Sequence, residues 1–484
     1  MGCKYHPPED KRVRVFLLHA GGCTSSTLSR RPCACMRAMA MRLLRIDARK
    51  GERALQRDPV LCWLGSALLL IVGLGARVVL AQPIDDITIQ SVADIETTRE
   101  ALIRSVWGTT PWATMQAQPP TRTVDYYTPA PEDALPAADS LRNLDRIEQI
   151  VITMAPPNTD GTAVEHTSTA YLFHPQIANG AVVIVHHGHD CRLDGLGDAY
   201  NLDATIRTLL AAQYTVVGMR MPLFQSPSAC GSDAVSTSHD DMFTNPAQQL
   251  QPESGSPLQF FLEPVARVLH YLETTYPSLA VFPHMVGLSG GGWTTTVYAA
   301  LDPRIILSFP VAGSLPLDMP EHSGYHAEQQ WPDFYAIAGY KDLYILGSYG
   351  PALESQGAFG SPPPWRRQTQ ILNQYDDCCF TPEPDAAQRY VCDVQTVLYT
   401  LALDTGPAGS FVFEYDAAAS THQISLDALA QVIVPTLQAG AEGPLAGHQA
   451  LSSTAARNVG VGLCLRREQP EPDQRLGTHA DTWS

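Results

Sequence analysis

Gly287-Leu288-Ser289-Gly290-Gly291 reads as a serine on a tight turn. An apolar segment, His284-Met285-Val286, precedes it, and a helix-compatible segment from Gly292 to Ala300 follows. Glycine is needed beside such a serine because the turn is sharp and a neighbouring Cβ would clash. The turn lifts the hydroxyl out of a sheet and sets it at a helix N-terminus, where developing negative charge is favoured. Ser289 is therefore the candidate nucleophile. The flanking strand and helix separate it from an ordinary Gly/Ser turn between core elements.

Outward from this turn, strand and helix alternate. The run from Ala181 to His186, Ala-Val-Val-Ile-Val-His, suits a strand buried on both faces of a parallel sheet, and Thr215 to Met219 is a second such strand. Asp198 to Ala212 reads as a helix. Pro257 to Thr275 has apolar residues at helical spacing: Phe261, Val265, Val268, Leu269 and Leu272. Ile305 to Val311, Thr369 to Asn373 and Phe411 to Tyr415 are expected as later strands, with a helix near Ala386 to Leu403 between the last two. Ile147 to Met154 and His166 to Phe173, joined by the turn cluster Pro156-Pro157-Asn158-Thr159-Asp160-Gly161, are expected as the first two. Such alternation means βαβ units and a mostly parallel sheet with helices on both faces. Residues 82–144 read as an N-terminal extension, irregular apart from one short helix near Ile95 to Val106. Residues 313–368 carry Trp331, Phe334, Tyr335, Tyr340, Tyr344 and Trp365; they are either a cap over the site or a core-packing excursion. The tail, 441–484, is polar and is expected to be disordered.

A serine hydroxyl needs a base, and the base needs an orienting acid. His422 follows the last expected strand and precedes the final helix, which makes it the candidate base. The acid is expected after the strand Thr369 to Asn373, at Asp376; Asp377 and Asp342 (in Gly339-Tyr340-Lys341-Asp342) are the alternatives. An oxyanion hole needs two backbone N–H groups. Gly290 supplies one, and His189, in the loop His186-His187-Gly188-His189-Asp190, is expected to supply the other. That histidine cluster misses the H-x-H-x-D-H spacing of metallo-hydrolases, so neither a metal nor another cofactor is expected.

The order Ser289, Asp376, His422, with the H-G loop upstream, resembles the α/β-hydrolase superfamily over about residues 145–435, within a catalytic domain expected over 145–440. Gly290-Gly291-Gly292 after the serine is similar to secreted esterases and to peptidases of the prolyl-oligopeptidase type. The resemblance implies an eight-stranded, mostly parallel sheet and an acyl-enzyme formed on Ser289. The expected activity is hydrolysis of carboxylic esters, on small or polymeric substrates. A peptidase or amidase of the same fold, and a non-catalytic binding protein, are the alternatives. The acid loop, Asp376-Asp377-Cys378-Cys379-Phe380, departs from the family pattern in its adjacent cysteines.

The remaining features concern location. The chain has 484 residues and a net charge of −17, but residues 1–81 carry a balance of +9 and the rest −26. An acidic body argues against nucleic acid as a partner. A basic N-terminal stretch, the apolar run from Val60 to Ala76 and Val79-Leu80-Ala81 before Gln82-Pro83 read as a secretory leader cleaved after Ala81. Initiation at Met36, Met39 or Met41 would give it an ordinary length. The expected location is secreted or periplasmic; retention as a membrane anchor through residues 60–81 is the rival. Six of 11 cysteines lie beyond the leader. The expected pairs are Cys191 with Cys230, and Cys392 with Cys378 or Cys379.

Overall fold

The computed structural model describes residues 86–127, 143–163, 165–188, 199–222, 241–244, 250–279, 283–319, 326–350, 366–382, 384–405 and 409–441. All belong to the part of the chain from Ala81 to Ser484. The leader and the tail lie outside them. Among the described residues no helix is long and apolar enough to cross a membrane.

Among the described residues nine strands form one sheet: β1 (Arg122–Tyr127), β2 (Leu144–Met154), β3 (His166–Pro175), β4 (Val182–His187), β5 (Thr215–Arg220), β6 (His284–Leu288), β7 (Leu307–Val311), β8 (Arg367–Asn373) and β9 (Ser410–Asp416). Their spatial order is β1-β2-β3-β5-β4-β6-β7-β8-β9. β2 runs antiparallel to β1 and β3, and β3 antiparallel to β5; every pairing from β5 to β9 is parallel. The principal helices are α1 (Val92–Trp107), α2 (Leu202–Ala211), α3 (Gln259–Thr275), α4 (Gly290–Leu301), α5 (Tyr340–Ser348), α6 (Pro384–Thr405) and α7 (Val434–Ala441). The step from β4 to β5 runs one way along the sheet, and the steps from β5 to β6 and onward run the other way. Right-handed crossovers then put α2 on the face opposite α3 and α4. β4, β5, β6 and β7 are buried along their whole length, as their β-branched and apolar runs require.

The expectation of an eight-stranded sheet is corrected by β1. Residues 122–126 are exposed, so this edge strand has no buried face and leaves no in–out alternation to read. The extension is also more ordered than expected. α1 starts at Val92 because Ser91 and Asp94 form a capping box: Ser91 Oγ accepts from Asp94 N at 3.4 Å, and Asp94 Oδ2 accepts from Ser91 N at 2.8 Å. It stops at Gly108, whose φ of 64° a side chain would resist. Its buried stripe, Ile95, Arg99, Leu102 and Val106, has helical spacing.

The described part of 313–368 packs into the core. Trp293 Nε1 on α4 donates to Tyr335 Oη at 2.7 Å, Tyr335 to Tyr340 Oη at 2.9 Å, and Tyr340 to the Gln329 carbonyl at 2.7 Å. One turn further along the same face of α5, Tyr344 Oη donates to Ser314 Oγ at 3.1 Å.

Arg366 joins these layers. It is buried and donates to the carbonyls of Ile305 and Leu346 at 2.8 Å, of Tyr349 at 3.0 Å and of Ala299 at 2.5 Å. Burial, with Arg99 nearby, pushes its pKa down to about 9. Two of these carbonyls belong to the last turns of α4 and α5, where helix dipoles favour a cation. Arg366→Ala is expected to strand several buried acceptors at about 1–3 kcal/mol each. A urea midpoint that did not fall would contradict this account of the packing.

Candidate active site

Ser289, Asp376 and His422 each sit past the carboxyl end of a strand. His186 pairs with Gly287, Leu288 with Val311, and Asn373 with Asp416, so β4, β6, β7, β8 and β9 end along one edge. Ser289 follows β6, Asp376 follows β8, and His422 follows β9.

Ser289 is the single residue between β6 and α4, with φ 58° and ψ −125°. That backbone costs a side-chain-bearing residue about 1–3 kcal/mol and persists only where neighbours enforce it. Ser289 N donates to the Val311 carbonyl at 2.9 Å, and Ser289 O accepts from Trp293 N at 2.9 Å. Close approach explains the glycines. A Cβ at Gly287 would stand 2.1 Å from the Gly291 carbonyl oxygen, and one at Gly291 would stand 2.0 Å from that of His186. Gly188 lies against the serine itself: a Cβ there would be 2.7 Å from Ser289 Cβ and 3.0 Å from Gly290 N. His189 and the rest of that loop through residue 198 lie outside the described residues, as do Cys191 and Cys230.

His422 and Asp376 are joined. His422 Nδ1 is 2.7 Å from Asp376 Oδ2, and both side chains are buried. His422 Nε2 is also buried and has no hydrogen-bond partner among the described residues. Asp376 Oδ1 accepts from the main-chain N–H of Cys378 at 2.9 Å and of Cys379 at 3.1 Å. Asp377 is exposed, and its Oδ1 accepts from His422 N at 3.3 Å. Asp342 stands apart. It lies in the first turn of α5, where it accepts from Thr88 N, Thr88 Oγ1 and Ile89 N at 2.8–3.2 Å, and burial raises its pKa. Its reading as an alternative acid is corrected: its oxygens anchor the segment ahead of α1.

Two asparagines that the sequence reading passed over hold the His422 loop. Asn373 Nδ2 donates to the carbonyls of Thr421 at 3.2 Å and Gln423 at 2.9 Å, the residues on either side of the histidine. Asn201 Nδ2 donates to Gln423 Oε1 and the Ile424 carbonyl, each at 3.0 Å. Tyr200 stands edge-on between His187, 6.2 Å away between ring centres, and His422, at 6.0 Å. It thereby links the strand end beside Ser289 to the histidine. The available signal for Asn373 was an amide at a strand end just before the acid; Asn201 and Tyr200 gave none.

Cys378 and Cys379 are disulfide-bonded to each other, which corrects the expected pairing of either with Cys392. Cys392 is disulfide-bonded in its own right. Possible ligand atoms of Asp376, Cys378, Cys379 and His422 lie within 4.8 Å of one another. With both sulfurs in a disulfide, neither offers the thiolate that binds metal.

The strand leading to Ser289 carries an acid-sensitive residue. His284 is buried, and burial brings its pKa down to about 3; His166 on β3 is brought to about 4 in the same way. Below about pH 6.5 the unfolded chain binds protons that the folded chain refuses. Stability therefore falls with pH, by about 1.4 kcal/mol per pH unit and histidine, until the folded pKa is reached. His284→Leu is expected to lose about 2 kcal/mol less than wild type between about pH 7 and pH 5 in urea titrations. Equal losses in the two proteins would show that His284 takes up a proton while folded.

The sheet order, the serine turn after β6 and the acid and histidine after β8 and β9 define an α/β-hydrolase fold. No protein-family model and no curated protein sequence matches the chain. Solved structures similar to it include acetyl xylan esterase 1 from a Thermoanaerobacterium species, at 11% identity and TM-score 0.39, covering 72% of this chain and 95% of that one. A glucuronoyl esterase from Teredinibacter turnerae aligns at 14% identity and TM-score 0.44, covering 73% and 89%. One from Solibacter usitatus aligns at 13% and 0.42, covering 70% and 90%.

Proposed function

We propose that the protein is a serine hydrolase of carboxylic esters, with Ser289 as nucleophile, His422 as base and Asp376 as the orienting acid. The observation that carries this reading is a strained serine and a buried His–Asp pair along one sheet edge, with the histidine's second nitrogen unpartnered among the described residues. In this reading Asp376 fixes the proton of His422 on Nδ1, so that Nε2 accepts the proton of Ser289 Oγ as the oxygen attacks the ester carbonyl. The Gly290 amide, the first of α4, faces the developing oxyanion, aided by the helix dipole. We assign the second donor to the amide of His189, which follows the glycine packed on Ser289. Collapse expels the alcohol, protonated by His422. A water activated by the same nitrogen then releases the acid.

Esters are favoured over peptides because the described residues ahead of β2 are taken up by this domain itself, as two helices and an edge strand. Matched p-nitrophenyl esters and p-nitroanilides of short acids test this. The ester is expected to turn over at a kcat/KM far above that of the anilide; the reverse ranking would favour an amidase, and no turnover of either a binding protein. We further infer export with removal of residues 1–81. The disulfides at Cys378–Cys379 and at Cys392 support an oxidising compartment. N-terminal sequencing of the exported protein is expected to begin at Gln82, and a retained leader would support the membrane-anchored alternative.

A further inference from the structure

The turn carrying Asp376 is closed by a disulfide between sequence neighbours. The main-chain N–H groups of these same two cysteines donate to Asp376 Oδ1. A disulfide stabilises a fold mainly in proportion to the loop it closes, and this one closes no loop beyond a single peptide. Its effect is local: it ties two side chains and the peptide between them into one small ring, which fixes the direction of both donors. Cys378 is exposed, so the bond is open to reductants from solvent.

We propose that the Cys378–Cys379 disulfide positions the Asp376 carboxylate and thereby makes turnover redox-dependent. Oxidised, it holds both amides on Oδ1 and leaves Oδ2 to His422 Nδ1. Reduced, it frees the turn, and the acid no longer fixes the orientation of the histidine. The inference rests on the reading of Asp376 and His422 as acid and base. The chemistry is exchange with a dithiol. One reductant thiolate attacks a cysteine sulfur and expels the other cysteine as thiolate; the second reductant thiol then displaces the mixed disulfide. The dithiol leaves as a disulfide, and the two cysteines together gain two electrons and two protons.

The test uses the full chain. Wild type is reduced with dithiothreitol, capped with iodoacetamide, desalted and assayed on p-nitrophenyl acetate, with mass mapping of the capped cysteines. The Cys378→Ala/Cys379→Ala double variant and Cys392→Ala are assayed beside it, each both untreated and after the same reduction and capping. The expected result is a fall in kcat of up to about 100-fold with KM little changed, in step with capping at Cys378 and Cys379. The double variant is expected to show the same low kcat and no further loss on reduction, while Cys392→Ala keeps the sensitivity of wild type. Full capping of Cys378 and Cys379 with kcat intact overturns the proposal, as does a double variant with wild-type kcat or a loss that tracks capping at Cys392. The wild-type arm decides if the double variant does not fold. Fluorophosphonate labelling of oxidised wild type separates the two readings: no adduct on Ser289 defeats the triad itself, whereas an adduct with redox-indifferent turnover defeats only the disulfide.

Discussion

Ser289→Ala is expected to lower kcat/KM on a p-nitrophenyl ester by at least about 10⁴-fold, or about 5 kcal/mol of transition-state stabilisation. The loss should fall on kcat, because the hydroxyl makes its bond only as the reaction proceeds. Folding should survive. The turn is shaped by the close approach of Gly287 and Gly291 to neighbouring carbonyls, and Ser289 is held through its main-chain bonds to Val311 and Trp293. Alanine keeps all of these. A variant with an unchanged urea midpoint and a residual rate set by the remaining hydrogen-bond donors fits the account. A variant that keeps wild-type turnover contradicts it.

Asp376→Asn is the second large effect, and its direction follows from the donors around the carboxylate. Cys378 N and Cys379 N both point at Oδ1, so an asparagine must place its carbonyl oxygen there. Its NH₂ then replaces Oδ2, 2.7 Å from His422 Nδ1. Nδ1 must become the acceptor, which moves the imidazole proton to Nε2, the nitrogen that takes the Ser289 proton in the proposed mechanism. With the wrong tautomer and an intact fold, kcat is expected to fall by about 10³–10⁴-fold. Asp377→Asn is the control. Its carbonyl oxygen can still accept from His422 N, so activity should stay within a few-fold of wild type. If Asp377→Asn instead produced the larger loss, the two acids would exchange roles. Rates for both variants across pH, beside wild type, settle the comparison.

The parts of this architecture that were legible in the sequence are those fixed by local physics. The glycines around Ser289, the β-branched run of β4 and the apolar spacing of α3 each leave a pattern because burial and close approach restrict the residue types at each position. What stayed hidden depends on partners far along the chain. β1 shows no buried face and joins the sheet through main-chain pairing with β2 and the edge-on contact of Tyr126 with Tyr171. Asn373 and Asn201 hold the His422 loop across long stretches of sequence, and an isolated asparagine gives no hint of such a role. Asp342 sat in a plausible order for an acid, yet its oxygens are taken up by Thr88 and Ile89. The cysteine pairing failed for a related reason: an even count and spacing leave connectivity open, and here two sequence neighbours close on each other.

The proposed chemistry depends first on Ser289 being an activated nucleophile. The most direct measurement is labelling of the folded protein with a fluorophosphonate, followed by mass mapping of the adduct, with Ser289→Ala treated in parallel. One stoichiometric adduct is expected on the peptide containing Ser289, absent from the variant and slowed sharply in Asp376→Asn. An adduct that persists in Ser289→Ala, or the absence of any adduct on the folded wild type, would contradict it.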